Sequence, residues 1–175
     1  IIFNFQNPKL IKIAFKNLGH DGEIIVSDVS PVPDAGMQAL SQSDIVRYYH
    51  HETIKSRSQN RNFLADQARF EQLIFLDCDA ILPDHNFLKR YHEAFDVVSV
   101  ICGGTIYQAN RPENREQVLR WKYGVEREVR SAPQRNQKPY QSFSSFNFTT
   151  SKSTFQKIRF DERFLHYGHE DTFFG

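Results

Sequence analysis

The chain has 175 residues, enough to bury one core without disulfide staples. With 39% hydrophobic and 25% charged residues it has the make-up of an ordinary soluble protein, and a net charge of +1 excludes the strong field of a nucleic-acid or membrane binder. Two cysteines exclude a disulfide framework, and no stretch approaches the roughly 18 apolar residues needed to span a bilayer.

The first element is a strand at Ile1-Ile2-Phe3-Asn4-Phe5. Pro8 can open a helix, and Leu10, Ile11, Ile13, Ala14 and Leu18 recur at helical spacing until Gly19 stops it. Glu23 to Asp28 reads as a second strand with a carboxylate at its end, followed by a loop marked by Pro31, Pro33 and Gly36. Ile45 to Tyr49 is a third strand, and His50-His51 after it read as surface residues. Thr53 to Arg69 is helical, with Ile54, Leu64, Ala65 and Ala68 as its apolar stripe.

Leu73-Ile74-Phe75-Leu76 is an unbroken apolar run, which reads as a strand buried on both faces of a parallel sheet. It ends in Asp77-Cys78-Asp79. In open α/β sheets ligands bind outside the carboxyl ends of strands. Residues i and i+2 of an extended segment point the same way, so two carboxylates converge there. They repel unless a cation lies between them, and a hard divalent ion with oxygen ligands is the natural partner. The other reading of the pair is a polar strand end capping the helix that opens near Asp84.

That helix runs from Pro83 through Phe87, Leu88, Tyr91 and Phe95. Val97 to Cys102 is a fifth strand, ended by Gly103-Gly104. Pro112 to about Arg130 is a polar helix in which Trp121 packs on the sheet or stacks on a sugar face. Ser131 to Gln141 lacks periodicity, contains Pro133 and Pro139, and reads as a mobile loop. Phe143 to Thr150 alternates aromatic and polar residues as a strand, with an antiparallel placement open to it, and Ser151 to Ile158 is a short helix. Strands alternating with helices make this an α/β fold with a mostly parallel sheet.

A second acidic pair, Glu170-Asp171, follows Gly168, which permits a tight turn that leaves the acids at a helix N-terminus. Such a carboxylate serves as a general base toward a hydroxyl, or simply as a cap. Asp28 ends a strand at the same sheet edge as Asp77, or forms a turn before Ser30-Pro31. Arg61 and Asn62 lie mid-helix, where a solvated face is the plain reading. His166 and His169 admit a zinc reading only weakly. Cys78 and Cys102 read as buried free thiols, which with the absence of a signal peptide points to a cytoplasmic or membrane-peripheral protein. Ile1 is not a methionine and Gly175 falls just past the acidic pair, so the reading is one domain over 1–175, cut short at its C-terminal end.

Taken in order, these pieces resemble the GT-A glycosyltransferases of family 2. Ile1 to Asn7 is similar to that family's first strand and loop. Glu23 to Ser30 resembles its strand ending in Asp-Asp-Gly-Ser, with Ser27 at the first Asp and Val29 at the Gly. Arg61-Asn62 and Leu76-Asp77-Cys78-Asp79 resemble its Arg-Asn helix and DXD motif. Phe160-Asp161-Glu162 through Tyr167-Gly168-His169-Glu170-Asp171 resembles a galactosyltransferase-type motif, Phe-Asp-Glu then Trp-Gly-Gly-Glu-Asp.

The resemblance implies a GT-A, Rossmann-like fold and an inverting, metal-dependent transfer of a hexose or N-acetylhexosamine from a UDP-sugar to a glycan hydroxyl. It implies Phe5, Asp28, Arg61 and Asp77 for the nucleotide sugar, with Asp28 at the uracil. It implies Asp79 and Asp77 for Mn²⁺ or Mg²⁺, and Glu170 and Asp171 facing the acceptor, Asp171 being the base. Two other readings compete with this one. A haloacid-dehalogenase-type phosphotransferase also ends an apolar strand in Asp-x-Asp, but here Ala80-Ile81-Leu82 lacks the hydroxyl that family carries. The departures at Ser27, Val29 and His169 leave room for a non-catalytic sugar-nucleotide-binding domain.

Overall fold

The computed structural model describes residues 2–3, 22–33, 35–42, 44–54, 56–77, 80, 82–96, 99–138, 143–166 and 168–174. The helix expected over 8–19, Phe5, Asp79 and the start of the strand expected from Val97 lie outside the described residues.

Six strands, β1 (Ile2–Phe3), β2 (Ile24–Asp28), β3 (Val46–His50), β4 (Gln72–Leu76), β5 (Ile101–Cys102) and β6 (Asn147–Ser151), form one sheet in the order β3-β2-β1-β4-β6-β5. The pairs β3–β2, β2–β1 and β1–β4 are parallel. The late strand β6 runs antiparallel to both β4 and β5, so the mixed α/β architecture expected from the pattern is the one observed. The chain builds outward from β1 to β3, then returns to the other side of β1 with β4. That reversal makes the carboxyl ends of β1 and β4 a topological switch point, where open α/β sheets bind ligands.

Alternation along each strand divides the core between two faces. Ile24, Val26, Ile74 and Leu76 turn to one face, where Phe87, Leu88 and Tyr91 of α3 (Phe87–Ala94) cover them. Ile25, Leu73 and Phe75 turn to the other, against Leu64 and Ala65 of α2 (Arg57–Gln67) and Phe155 of α6 (Lys152–Ile158). The apolar run of β4 is therefore continuous because both of its faces are covered. On the second face, Phe75 stacks on Phe148 at 4.5 Å between ring centroids and on Phe155 at 5.0 Å.

Several expectations are corrected here. Ala35–Leu40, read as loop, is a short helix α1, because Ala, Met, Gln and Leu favour helix and Gly36 falls in the first turn. Ala132–Asn136, read as a mobile loop, is a helix α5. The Ser131 hydroxyl and the Gln134 side chain close a capping box there, and Pro133 sits in the first turn, where its missing N–H costs nothing. The polar helix is α4 (Arg115–Tyr123), followed by a π-helical turn at Gly124–Glu128. His50 and His51 are half-buried, with His51 edge-on to Phe63 at 4.3 Å, and Cys102 is half-buried rather than enclosed.

The end of the sheet away from the switch point holds a buried carboxylate, Glu23. It accepts from the Arg69 N–H (2.6 Å), Arg69 Nε (2.9 Å) and Arg47 Nη1 (3.1 Å). Burial pushes the Glu23 carboxyl up, but the hydrogen bonds from Arg69 and Arg47 outweigh it and hold it below the ordinary glutamate value. The folded pKa being depressed, the stability it contributes is complete above the unfolded glutamate value, about 4.3, and is lost as pH falls through the folded one. In thermal melts across pH, the gap in Tm between wild type and Glu23→Gln is expected to be widest near neutrality and to narrow below about pH 4.3. A gap independent of pH would show that this carboxylate is not linked to folding.

Candidate active site

The site is assembled at the carboxyl end of β4. Asp77 follows Leu76 directly, and its backbone is fixed by two hydrogen bonds. Its N–H donates to Phe146 O at 3.0 Å, and its carbonyl accepts from Ala80 N–H at 3.1 Å. One quarter of the side chain stays exposed.

Arg61 reaches Asp77 from α2. Nη2 donates to Asp77 Oδ1 at 3.1 Å, and the guanidinium lies over the Phe160 ring at 5.1 Å. Nη1 stands 3.8 Å from Glu170 Oε1 and 4.0 Å from Asp171 Oδ1, an ion-pair position from which it hydrogen-bonds neither. Arg61 is 7% exposed and Asn62 2%, so the solvated helix face expected of them is corrected: both point into the protein. Their charge and polarity survive burial because partners from distant segments meet them. The Asn62 amide acts as a backbone would: Nδ2 donates to Phe160 O (2.9 Å) and Oδ1 accepts from Phe160 N–H (3.0 Å). Nδ2 also reaches Glu162 Oε1 at 2.8 Å. A residue that is poor in helix interiors is thus used to staple α2 to the segment leading into the second acidic pair.

That pair opens α7 (Glu170–Phe174). Gly168 has φ 116° and His169 has φ 68°, so the turn before it needs two successive left-handed residues. Glycine enters that region freely, whereas His169 does so at a cost. At the far end, Phe174 stacks on Phe160 at 4.1 Å and meets Phe148 and Phe155 at 5.7 Å each. The aromatic core thereby anchors the helix that carries the acids.

The two acids part company. Asp171 is partly exposed; its Oδ2 accepts from Ser145 N–H at 3.2 Å and its Oδ1 from Ser145 Oγ at 2.5 Å. Glu170, expected to face the acceptor, is turned inward at 5% exposure, where Oε2 accepts from Gly168 N–H at 3.0 Å. Successive residues of a helix diverge by about 100°, so only one of the pair can face outward.

A cleft of about 1550 Å³ runs over the ends of β4, β5 and β6 and is lined by Arg61, Asp77, Trp121, Ser145 and Asp171. Neither Glu170 nor Asp28 lines it. The outer wall is α4 with the π-helical turn. Trp121 is half-buried, and Nε1 donates to Gln108 O at 2.8 Å. Gly124 lets Tyr107 lie against the helix, since a Cβ there would stand 2.1 Å from the Tyr107 ring. The Tyr107 hydroxyl donates to Glu128, which Arg120 grips with both terminal nitrogens at 2.8 and 3.0 Å. Burial and the neighbouring Glu128 carboxylate push the Tyr107 hydroxyl up to about 12.

Asp28 stands at the end of β2, separated from β4 by β1, and is 8% exposed. Its Oδ1 accepts from Ser30 N–H (2.8 Å) and Ser30 Oγ (2.5 Å), and its Oδ2 from the Tyr48 hydroxyl (2.6 Å). Ser30 thus holds Asp28 in the local turn expected before Ser30-Pro31, whereas Tyr48 and Ser145 were not singled out by the sequence, because a hydroxyl serving a distant carboxylate leaves no local pattern.

The sequence matches glycosyl transferase family 2 over residues 2–162. The chain belongs to that family. The strand order with its late antiparallel strand agrees with a GT-A fold. The mannosyltransferase PcManGT from Pyrobaculum calidifontis, in complex with GDP-Man and Mn²⁺, superposes with a TM-score of 0.58 at 13% identity. The alignment covers 98% of this chain and 48% of that one, so the chain spans about half the length of its structural relative. No curated protein matches the chain in sequence. No helix among the described residues is long and apolar enough to cross a membrane.

Among the described residues no three His, Cys, Asp or Glu side chains converge as a metal site. The donors at the β4 rim are nonetheless of the right kind. Asp77 presents a partly exposed carboxylate to the cleft, and Asp79, outside the described residues, follows two positions on. Carboxylate oxygens suit a hard divalent cation.

Proposed function

We propose that this glycosyltransferase moves a hexose or N-acetylhexosamine from a UDP-sugar to a hydroxyl of a glycan acceptor, with inversion at the anomeric carbon. One observation carries the reading: Asp77 and Asp171, from separate elements, line one cleft at the switch point and share the guanidinium of Arg61. An inverting displacement needs a donor anchor on one side of the anomeric carbon and a base on the other, and the arrangement supports that division.

Asp79 and Asp77 would hold Mn²⁺ or Mg²⁺, which neutralises the charge of a diphosphate leaving group when bound. Arg61, fixed against Asp77, keeps that carboxylate aimed at the donor side. Asp171 accepts the proton of the attacking hydroxyl. Glu170, turned away from the cleft, serves by holding Arg61 between the two halves of the site. Phe5, two residues past β1 in the sequence, is assigned to the nucleotide by the same reading. Asp28 recognises the base by accepting a ring N–H. A carboxylate can do this for uracil and for guanine alike, and the structural relative holds GDP-Man. Both nucleotides therefore belong in the test.

Titration calorimetry with UDP and GDP, with and without Mn²⁺, is expected to show one nucleotide binding at least about tenfold more tightly with the metal, and Asp79→Ala is expected to abolish the difference. Absence of binding to either nucleotide, or binding indifferent to both Mn²⁺ and Asp79, would overturn the reading. Metal-dependent binding without transfer to any acceptor would instead favour a domain that only holds the sugar nucleotide.

A further inference from the structure

Ser145 lies between the two halves of the site, and nothing in the sequence marks it. It is 2% exposed, yet it lines the floor of the cleft. Its N–H and its hydroxyl each hold one oxygen of Asp171. The next residue, Phe146, receives the backbone N–H of Asp77 at 3.0 Å, and Asn147 begins β6, paired to β4 opposite Leu76. The segment 145–147 therefore holds the backbone of the donor-side Asp77 through Phe146 O and the acceptor-side carboxylate through Ser145.

We propose that Ser145 is a positioning residue for the transfer: it sets the orientation of the Asp171 carboxylate and registers that carboxylate against Asp77 across the cleft. The inference rests on the reading of Asp171 as the base. A carboxylate oxygen has two lone-pair directions, and Ser145 occupies one on each oxygen. What remains is directed by the grip of Ser145. Arg61 adds attraction at 4.0 Å without a hydrogen bond, so it leaves the rotation of the carboxylate to Ser145. A base placed about 1 Å off its line loses much of its effect, and Ser145 sits in the turn two residues before β6, whose pairing with β4 steadies the grip.

The test compares Ser145→Ala, Ser145→Thr, Asp171→Asn and the double variant Ser145→Ala/Asp171→Asn in the full chain. Turnover is read as hydrolysis of a panel of UDP- and GDP-hexoses with Mn²⁺, water standing in for the acceptor. Ser145→Ala is expected to lower kcat about 10- to 100-fold with an unchanged KM for the donor, and Ser145→Thr to restore it. The double variant is expected to be no slower than Asp171→Asn alone, because Ser145 acts through Asp171. Losses that multiply in the double variant, or a KM that rises with the fall in kcat, would overturn the role of Ser145 while leaving the base reading intact. Full turnover in Asp171→Asn would sink the base reading itself. Crystal structures give a measurement independent of turnover. The Asp171 carboxylate is expected to rotate or split into two orientations in Ser145→Ala and to stay single in Ser145→Thr; an unmoved Asp171 in Ser145→Ala refutes the proposal.

Discussion

Arg61→Met is expected to lower stability by about 3–5 kcal/mol, the range found when one partner of a buried ion pair is removed. The buried guanidinium serves three carboxylates, Asp77, Glu170 and Asp171, and packs on Phe160. Methionine keeps much of the volume and the contact with the ring. What it removes is the charge, which leaves Glu170 enclosed with no cation beside it among the described residues. Arg61→Lys is expected to recover only part of the loss, since a single ammonium cannot fork between Asp77 and the acids of α7. Chemical denaturation measures this directly. A methionine variant within about 1 kcal/mol of wild type would mean that the carboxylates adjust around the missing charge, and that the bridge between the half-sites is not structural.

Asp171→Asn is expected to reduce kcat by about 10²- to 10⁴-fold, the usual contribution of a positioned general base. The amide is nearly the same shape and retains an acceptor oxygen for Ser145, so the fold and the nucleotide affinity should hold. Two assays separate the effects: product formation under saturating donor, and calorimetry of the nucleotide with Mn²⁺. Loss of turnover with unchanged binding assigns Asp171 to the chemistry. Parallel loss of both would return it to a structural role, and unchanged turnover would remove it from the site. The side chain that makes this contrast informative is its neighbour. Glu170 has the same chemistry one position earlier, but it lies inside the protein against Arg61 and does not line the cleft.

The strand β4 was legible because its information is local. A run of large apolar side chains with period two saturates both faces of a sheet, and a carboxylate directly after it has to emerge at the sheet edge. The turn at Gly168 was legible for a similar reason, since few residues besides glycine take that backbone without strain. The short helices α1 and α5 were missed because Pro and Gly mask a helix too brief to show periodicity. In α5 the decisive signal was the Ser131–Gln134 capping box, present in the sequence but obscured by the two prolines of the segment.

By itself the sequence determined the order of the strands, the place of Asp77 at a sheet rim and the presence of a second acidic pair. These follow from side-chain period and backbone freedom, which act over a few residues. Tertiary structure alone decided that Arg61 and Asn62 point inward, because their partners lie as far along the chain as Glu162, Glu170 and Asp171. It also decided which acid of the pair meets the cleft, and that Ser145 grips it. Burial and hydrogen bonding are properties of where segments meet, and adjacent residues of one helix can be sent to opposite environments by nothing more than the turn between them.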